Sequence, residues 1–429
     1  MKIGFVIYNL SRGVGGIQRA GTSLANAMQQ RGHECTVFIN DYKKRPPLYS
    51  LDEGVSVKYL DMIDNSGSRA RTRRTVLAAA PDVLVLMTSS DDLTAWPVIL
   101  RDTDIPMVVS ERTDPVVAQS FFSTLSERYA ILSTAAQIHV QTQRGRECYP
   151  DSLRDRVVVI PNSVQPAQRQ VKVFSNSPGT KRIVHVGRIH DVCKQQRLLV
   201  KAFSVLATEY PEWELHFWGD GTAEEERLLN ETIDVFGVGE QTFVNGVTDA
   251  VDEKLLQAQL FVFPSKYEGF PNALLEAQAH GLPAVGYRNC GGTNEIITDG
   301  LNGLLFDELT PESLAEKMRA LMADEKLRKK MGQAAFEVSQ NYTPDRIFDE
   351  FDAFFQKTPN LPVDKAAETI KDPEISNQLD RIFSSEYLHK SKTPPVRPVP
   401  LGFLEDSRKR FSRRYVKPIR DFLQALKKK

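Results

Sequence analysis

Two glutamates, Glu268 and Glu276, stand eight positions apart in the segment KYEGFPNALLEAQAHGLPAVG, and Gly269, Phe270, Pro271 and Asn272 follow the first of them. The apolar run at 260–264 predicts a strand that delivers Glu268 at its end. Helical spacing resumes over 272–279, which puts Glu276 about one turn into a helix. Gly269 lets backbone approach a ligand closely, and Pro271 suits a first helical position. The free amides of that turn and the helix dipole make an anion site. A carboxylate next to a diphosphate would repel it, so Glu268 and Glu276 are suited to accept hydrogen bonds from sugar or ribose hydroxyls.

The cations needed to balance a diphosphate come from an earlier segment. Gly187 and Arg188 end a strand predicted at 182–186, and Lys194 follows near the start of a helix predicted at 194–206. Breaking a bond between a sugar and a diphosphate builds negative charge on the leaving oxygen. A cation about 4 Å away, at an effective dielectric near 20, contributes roughly 4 kcal/mol. If this is realised mainly in the transition state, it is worth about a thousandfold in rate. Arg188 and Lys194 can therefore do the work of a metal ion.

These residues need a scaffold that brings strand ends together. Strand patterns at 3–7, 35–39, 55–59, 83–87, 107–110, 137–141 and 157–160 alternate with helical or turn-rich stretches, beginning with a helix at 19–30. A Ser-, Asn-, Pro- and Gly-containing loop at 171–180 interrupts the pattern and reads as a linker. The alternation then restarts, with strands at 182–186, 214–218, 242–245, 260–264 and 283–286 and helices at 194–206, 224–236, 251–257, 272–279 and 311–322. The fold class is α/β, with two parallel sheets and a cleft outside their carboxyl ends. The expected organisation is a first domain over 1–170, a second over 181–342, a helix over 343–358 packing back across both, and a Pro-rich connector with a basic tail over 359–429.

At 429 residues the chain exceeds one comfortable core. Lys+Arg 55 balances Asp+Glu 55, so no global charge draws it to nucleic acid. Cys35, Cys148, Cys193 and Cys290 lie far apart without CxxC spacing, which argues for a reducing compartment and against a zinc site. No run approaches twenty apolar residues, so a cytoplasmic protein is expected. From Arg408 onward, basic residues interleave with Phe411, Tyr415, Ile419, Phe422, Leu423 and Leu426 at helical spacing. That amphipathic tail suits an anionic membrane surface, giving a peripheral location on the inner face of the cell membrane.

Taken in order, GGIQR from Gly15, ERTDP from Glu111, PNSV from Pro161, GRIHDVCK from Gly187, WGDG from Trp218, EGFPNALLE from Glu268, GGTNEII from Gly291 and NGLLF from Asn302 resemble the family-4 retaining glycosyltransferases of the GT-B fold. The likeness covers about residues 1–357. It implies two facing Rossmann-like domains, and a sugar moved from a nucleotide diphosphate, with uracil as base, to an acceptor hydroxyl with retention of anomeric configuration. It assigns the diphosphate to Arg188 and Lys194, the transferred sugar to Glu268 and the ribose to Glu276. Sugar hydroxyls go to the amides after Gly269 and Phe270, and donor phosphate to Gly15 and Gly16 on closure. Acceptor specificity falls to the first domain, with Glu111 and Arg112 as candidates. No cofactor and no metal are expected. The partners are a nucleotide sugar and a glycan or lipid-linked glycan of bacterial surface polysaccharide assembly.

Some features depart from the family pattern. Lys194 lies one residue further from Arg188 than in many relatives, Gln18 stands where Glu is frequent, and Thr88, Ser89 and Ser90 stand where some members carry His. Asp102, Thr103 and Asp104 spell the DxD string of metal-dependent transferases, but precede the strand at 107–110, away from the donor half. His139, His185, His190 and His280 read as structural. Two alternatives share the fold: a sugar-nucleotide epimerase, and a non-catalytic sugar-nucleotide-binding protein.

Overall fold

The computed structural model describes residues 1–8, 10–11, 15–41, 43–61, 66–87, 91–122, 124–167, 179–360 and Asn377. The first run of strands comprises β1 (Lys2–Ile7), β2 (Glu34–Asn40), β3 (Ser56–Leu60), β4 (Val83–Met87), β5 (Met107–Ser110), β6 (Gln137–Val140) and β7 (Val157–Val159). They pair in the order β3-β2-β1-β4-β5-β6-β7. The second run comprises β8 (Lys181–Val186), β9 (Trp213–Trp218), β10 (Thr242–Val244), β11 (Leu260–Phe263), β12 (Ala284–Tyr287) and β13 (Gly303–Phe306), in the order β10-β9-β8-β11-β12-β13. The strand pairs are parallel. Both sheets belong to one compact unit, Met1–Leu379.

Burial explains the composition of the strands. All five residues of β4 and all four of β11 are buried, which is why they read as continuous apolar runs rather than alternating ones. In the second sheet Leu260 and Val262 belong to one core cluster, and Phe261 and Phe263 to another, so each face of the sheet is covered.

Strand order reverses between β1 and β4 and between β8 and β11. At such a switch point the segments leaving neighbouring strands part to opposite faces and open a crevice. Leu260 of β11 pairs with Ile183 of β8, so the segments carrying Arg188 and Glu268 leave from adjacent strands.

The helix Pro344–Lys357 returns to the first sheet. Ile347, Phe351, Phe354 and Phe355 join its core, with Phe355 edge-on to Phe5 at 5.9 Å. Arg31 to Asp349 (2.7 Å) and His33 to Asp352 (2.8 Å) fasten the polar side. A last strap, Val164 N–H to the Tyr342 carbonyl at 2.8 Å, holds the two connecting segments together.

Several elements differ from the sequence pattern. The helix predicted at 194–206 is two, Asp191–Lys194 and Gln196–Ser204, because Gln195 adopts the left-handed region with φ 57°. Pro271 is the cap of the Asn272–Ala279 helix rather than its first residue. Helices at Ser66–Ala79 and Glu325–Ser339 and the strand β13 were not predicted. Apart from Gly179, Thr180, Pro359, Asn360 and Asn377, the predicted linker and the Pro-rich and basic C-terminal segments lie outside the described residues, as do Thr88, Ser89 and Ser90. Among the described residues no helix is long and apolar enough to cross a membrane.

Candidate functional site

Arg188 leaves β8 one residue after Gly187, and its loop is held on three sides. Gly187 N–H donates to the Trp218 carbonyl (2.9 Å) and Ile189 N–H to that of Asp220 (2.7 Å). Gly219 lies directly on the Gly187 carbonyl, at φ 141°, where a Cβ would collide. Buried Gln196 donates its amide to the Arg188 carbonyl at 2.8 Å and accepts from His190 N–H at 3.3 Å. The backbone is therefore fixed while the Arg188 side chain is exposed, with no hydrogen-bond or ion-pair partner among the described residues.

Lys194 ends the short Asp191–Lys194 helix, whose cap is His190; the ring Nδ1 accepts from Cys193 N–H at 3.3 Å. The left-handed Gln195 then turns the chain into the next helix. This places the Lys194 ammonium over the Phe263 ring at 5.3 Å and 2.6 Å from Glu268 Oε1. A Cβ on Gly187 would lie 3.9 Å from that ammonium. The structure thus brings Gly187, Lys194 and Glu268 to one point above the β8/β11 crevice.

Around Glu268 the packing is tight. A side chain on Gly269 would strike the Arg112 carbonyl and come within 3.0 Å of Thr113 Cα, so this glycine admits first-half backbone. Phe270 turns inward to the core beside Tyr342, and its carbonyl accepts from Asn272 N–H at 3.0 Å. Asn272 opens the helix and accepts from Asn162 Nδ2 at 2.7 Å, and a Cβ on Gly16 would lie 3.5 Å from the Asn272 side-chain nitrogen. Gly15 is the extended cap of the first helix, Gly16–Gln30. Glu276 is paired across the cleft with Arg19. Arg19 was legible in GGIQR but carried no assigned role; Asn162, in PNSV, was in the same position.

Glu111 is a correction. It is 3% exposed, its carboxylate pairs with buried Arg128 at 2.5 Å and accepts from the Tyr149 hydroxyl, and its N–H donates to the His139 carbonyl. A carboxylate so enclosed cannot meet an acceptor. Arg112 is not its partner. The Arg112 guanidinium is half-buried, donates to Asn162 Oδ1, and is lowered to about 10 by desolvation. It lines a cavity of about 60 Å³ with Gly16, Arg19, Asn162, Ser163 and Asn272.

The remaining sequence candidates are structural in setting. His139 donates from Nε2 to the Ile160 carbonyl and accepts at Nδ1 from Ser110, both at 2.8 Å. His185 donates from Nδ1 to the Val262 carbonyl at 2.9 Å. Burial lowers His139 to about 3 and His185 to about 4. His280 Nδ1 bonds the Glu276 carbonyl at 2.8 Å. Asp102 and Asp104 line a separate groove with Met1, Asp82 and Pro106, at the amino ends of the first sheet's strands and away from the cleft. Asn302 of NGLLF is buried and bonds Gln278 and the Ile296 carbonyl.

Comparison with known proteins bears on the family and the fold. The model "Glycosyltransferase Family 4" matches residues 14–168, and "Glycosyl transferases group 1" matches residues 167–338. The chain is 29% identical over 392 residues to an exopolysaccharide phosphotransferase of Streptomyces coelicolor, covering 83% of this chain but only 40% of that protein's length. It is 23% identical to the amylovoran biosynthesis glycosyltransferase AmsD of Erwinia amylovora, covering 78% of this chain and 93% of AmsD. Among solved structures, Anabaena HepE in complex with UDP and glucose superposes with a TM-score of 0.65 at 17% identity, covering 83% of this chain and 99% of HepE. The two sheets form the GT-B fold. The chain belongs to the group 1, family 4 glycosyltransferases.

Proposed function

We propose that this glycosyltransferase moves a sugar from a UDP-sugar to a hydroxyl of a glycan or lipid-linked glycan in bacterial surface polysaccharide assembly, with retention and without a metal ion. The observation that carries the reading is the convergence of Lys194 and Glu268 from adjacent strands, 2.6 Å apart, beside the opening of the Asn272–Ala279 helix. In this reading the donor diphosphate lies between Arg188, Lys194 and that helix N-terminus, and Lys194 exchanges Glu268 for a phosphate oxygen. Glu268 then accepts hydroxyls of the transferred sugar and Glu276 those of the ribose.

The bond from the anomeric carbon to the β-phosphate oxygen breaks through an oxocarbenium-like state. The acceptor oxygen bonds the same face of that carbon, and its proton passes to the departing phosphate oxygen. No enzyme nucleophile takes part. The two cations stabilise the charge on the leaving oxygen, which is where such a site has its largest effect. UDP and glucose in HepE, and the polysaccharide named for AmsD, support the donor and acceptor classes.

The test is a panel of nucleotide sugars and glycan acceptors, read by nucleotide release with and without EDTA, with the product's anomeric configuration determined. Acceptor-dependent release of UDP that survives EDTA is expected. Release that needs an added divalent ion, an inverted product, or interconversion of the donor without acceptor would overturn the corresponding part.

A further inference from the structure

Arg19 and Glu276 are 257 positions apart in the chain, and their pair joins the helix after β1 to the helix that opens beside Glu268. Arg19 sits in the first turn after Gly16, its N–H donating to the Gly15 carbonyl at 3.1 Å, so it moves with the loop assigned to donor phosphate. Its guanidinium takes Glu276 Oε1. The contact can exist only when the two halves stand together. It has company there: Asn162 to Asn272 at 2.7 Å, and Gln143 N–H to Glu295 at 2.9 Å.

The pair does little for stability. The Arg19 and Glu276 side chains are 55% and 23% exposed, a setting in which ion pairs contribute marginally. Its value lies in geometry. A carboxylate has about four lone-pair sites, so a guanidinium on one oxygen leaves capacity for a ribose hydroxyl on the other while fixing the direction in which the group points.

We infer that Arg19 is a positioning residue for the donor, holding the Glu276 carboxylate in the orientation that grips the ribose, and doing so only in the closed cleft. The inference rests on the reading of Glu276 as the ribose-binding residue. Grip on the nucleotide and approach of the first half are thereby one event.

The experiment compares binding of UDP and of 2′,3′-dideoxy-UDP to the full chain by calorimetry, in wild type, Arg19→Ala, Arg19→Lys, Glu276→Ala and the double Ala variant. Wild type should prefer UDP by about tenfold or more, the worth of a hydrogen bond to a charged group. Glu276→Ala should erase the preference, and Arg19→Ala should cut it to about twofold to threefold. Arg19→Lys, which keeps charge without the planar fork, should fall between. The double variant should be no worse than Glu276→Ala, the signature of two residues acting as a unit. In turnover, Arg19→Ala should raise donor KM about as much as it weakens UDP binding while kcat changes less. An Arg19→Ala protein that keeps the wild-type preference, or a double variant whose losses add, overturns the role of Arg19 and leaves the ribose assignment standing. A preference unchanged in Glu276→Ala overturns both.

Discussion

Two glutamates placed just beyond strand ends in the two sheets have opposite fates. Glu111 follows β5 and pairs with Arg128, both side chains 2% exposed. Glu268 follows β11 and pairs with Lys194, their side chains 11% and 22% exposed. The difference begins in the backbone. Glu111 is the next residue after β5 and still donates into the sheet, to the His139 carbonyl, so it obeys strand alternation: Ser110 turns to His139 and Glu111 to the opposite face, under Arg128. Glu268 lies five residues past β11, free of the sheet, on a loop that ends at the crevice. The same kind of ion pair is mortar in one half and a partly open contact in the other, and burial decides which.

The sharpest way to break that contrast is to remove each carboxylate's environment in turn. Glu111→Ala strands Arg128 in the core, and breaking a buried ion pair costs about 3–5 kcal/mol. Urea unfolding should show that loss, with soluble protein depleted or aggregated. A normally stable Glu111→Ala protein whose acceptor KM alone had risen would restore Glu111 as an acceptor contact.

Lys194→Ala should act the other way. The expected loss is about a thousandfold in transfer rate, corresponding to roughly 4 kcal/mol of transition-state charge stabilisation. The unfolding midpoint should move little, because the pair is partly open to water. Transfer within about tenfold of wild type would mean that Arg188 and the helix N-terminus carry the departing charge without it.

The candidate residues of the second half were legible because they sit on short turns after strands whose apolar runs announce themselves. Gly187, Arg188, Glu268 and Glu276 are where strand ends and helix spacing put them. Glu111 was not legible as structural, because its partner Arg128 comes seventeen positions later and nothing in the intervening pattern marks an arginine as buried. The break at Gln195 was also hidden. An unbroken apolar stripe from Leu198 to Leu206 suggested one helix, and no glycine announces the left-handed residue. The helix Ser66–Ala79 carries four arginines and buries only Ser68, Thr72 and Val76, so there is no stripe for a periodic reading to find. Gln196, the clamp on the Arg188 loop, is a polar residue at a core position and gives no signal in sequence.

The two halves also differ in how they answer pH. His139 in the first sheet and His185 in the second are both kept neutral, mainly by desolvation, with Arg112 adding to the lowering at His139 and Lys194 at His185. Unfolded, each takes up a proton near its ordinary value of 6.5. Between that value and the folded one the unfolded chain binds more protons, so stability is complete above pH 6.5 and falls as pH drops toward 4 and 3. Each pH unit below 6.5 costs about 1.4 kcal/mol per histidine, or about 2 kcal/mol each at pH 5. Urea unfolding at pH 7 and pH 5 should show the combined loss, and replacing either histidine with Gln should halve the slope. The consequences differ by half. His185 Nε2 accepts from the Gln196 amide at 3.3 Å, and Gln196 holds the Arg188 carbonyl, so a proton there disturbs the cation loop itself. His139 Nδ1 accepts from Ser110, beneath the Phe351 ring at 4.9 Å, and Ser110 in turn accepts from Arg112 at 3.5 Å, a link into the first half and not to the Arg188 loop. Donor binding should therefore weaken with acid in His139→Gln as in wild type, and lose part of that dependence in His185→Gln; equal behaviour of the two variants would show that the Gln196 clamp does not connect the core to the site.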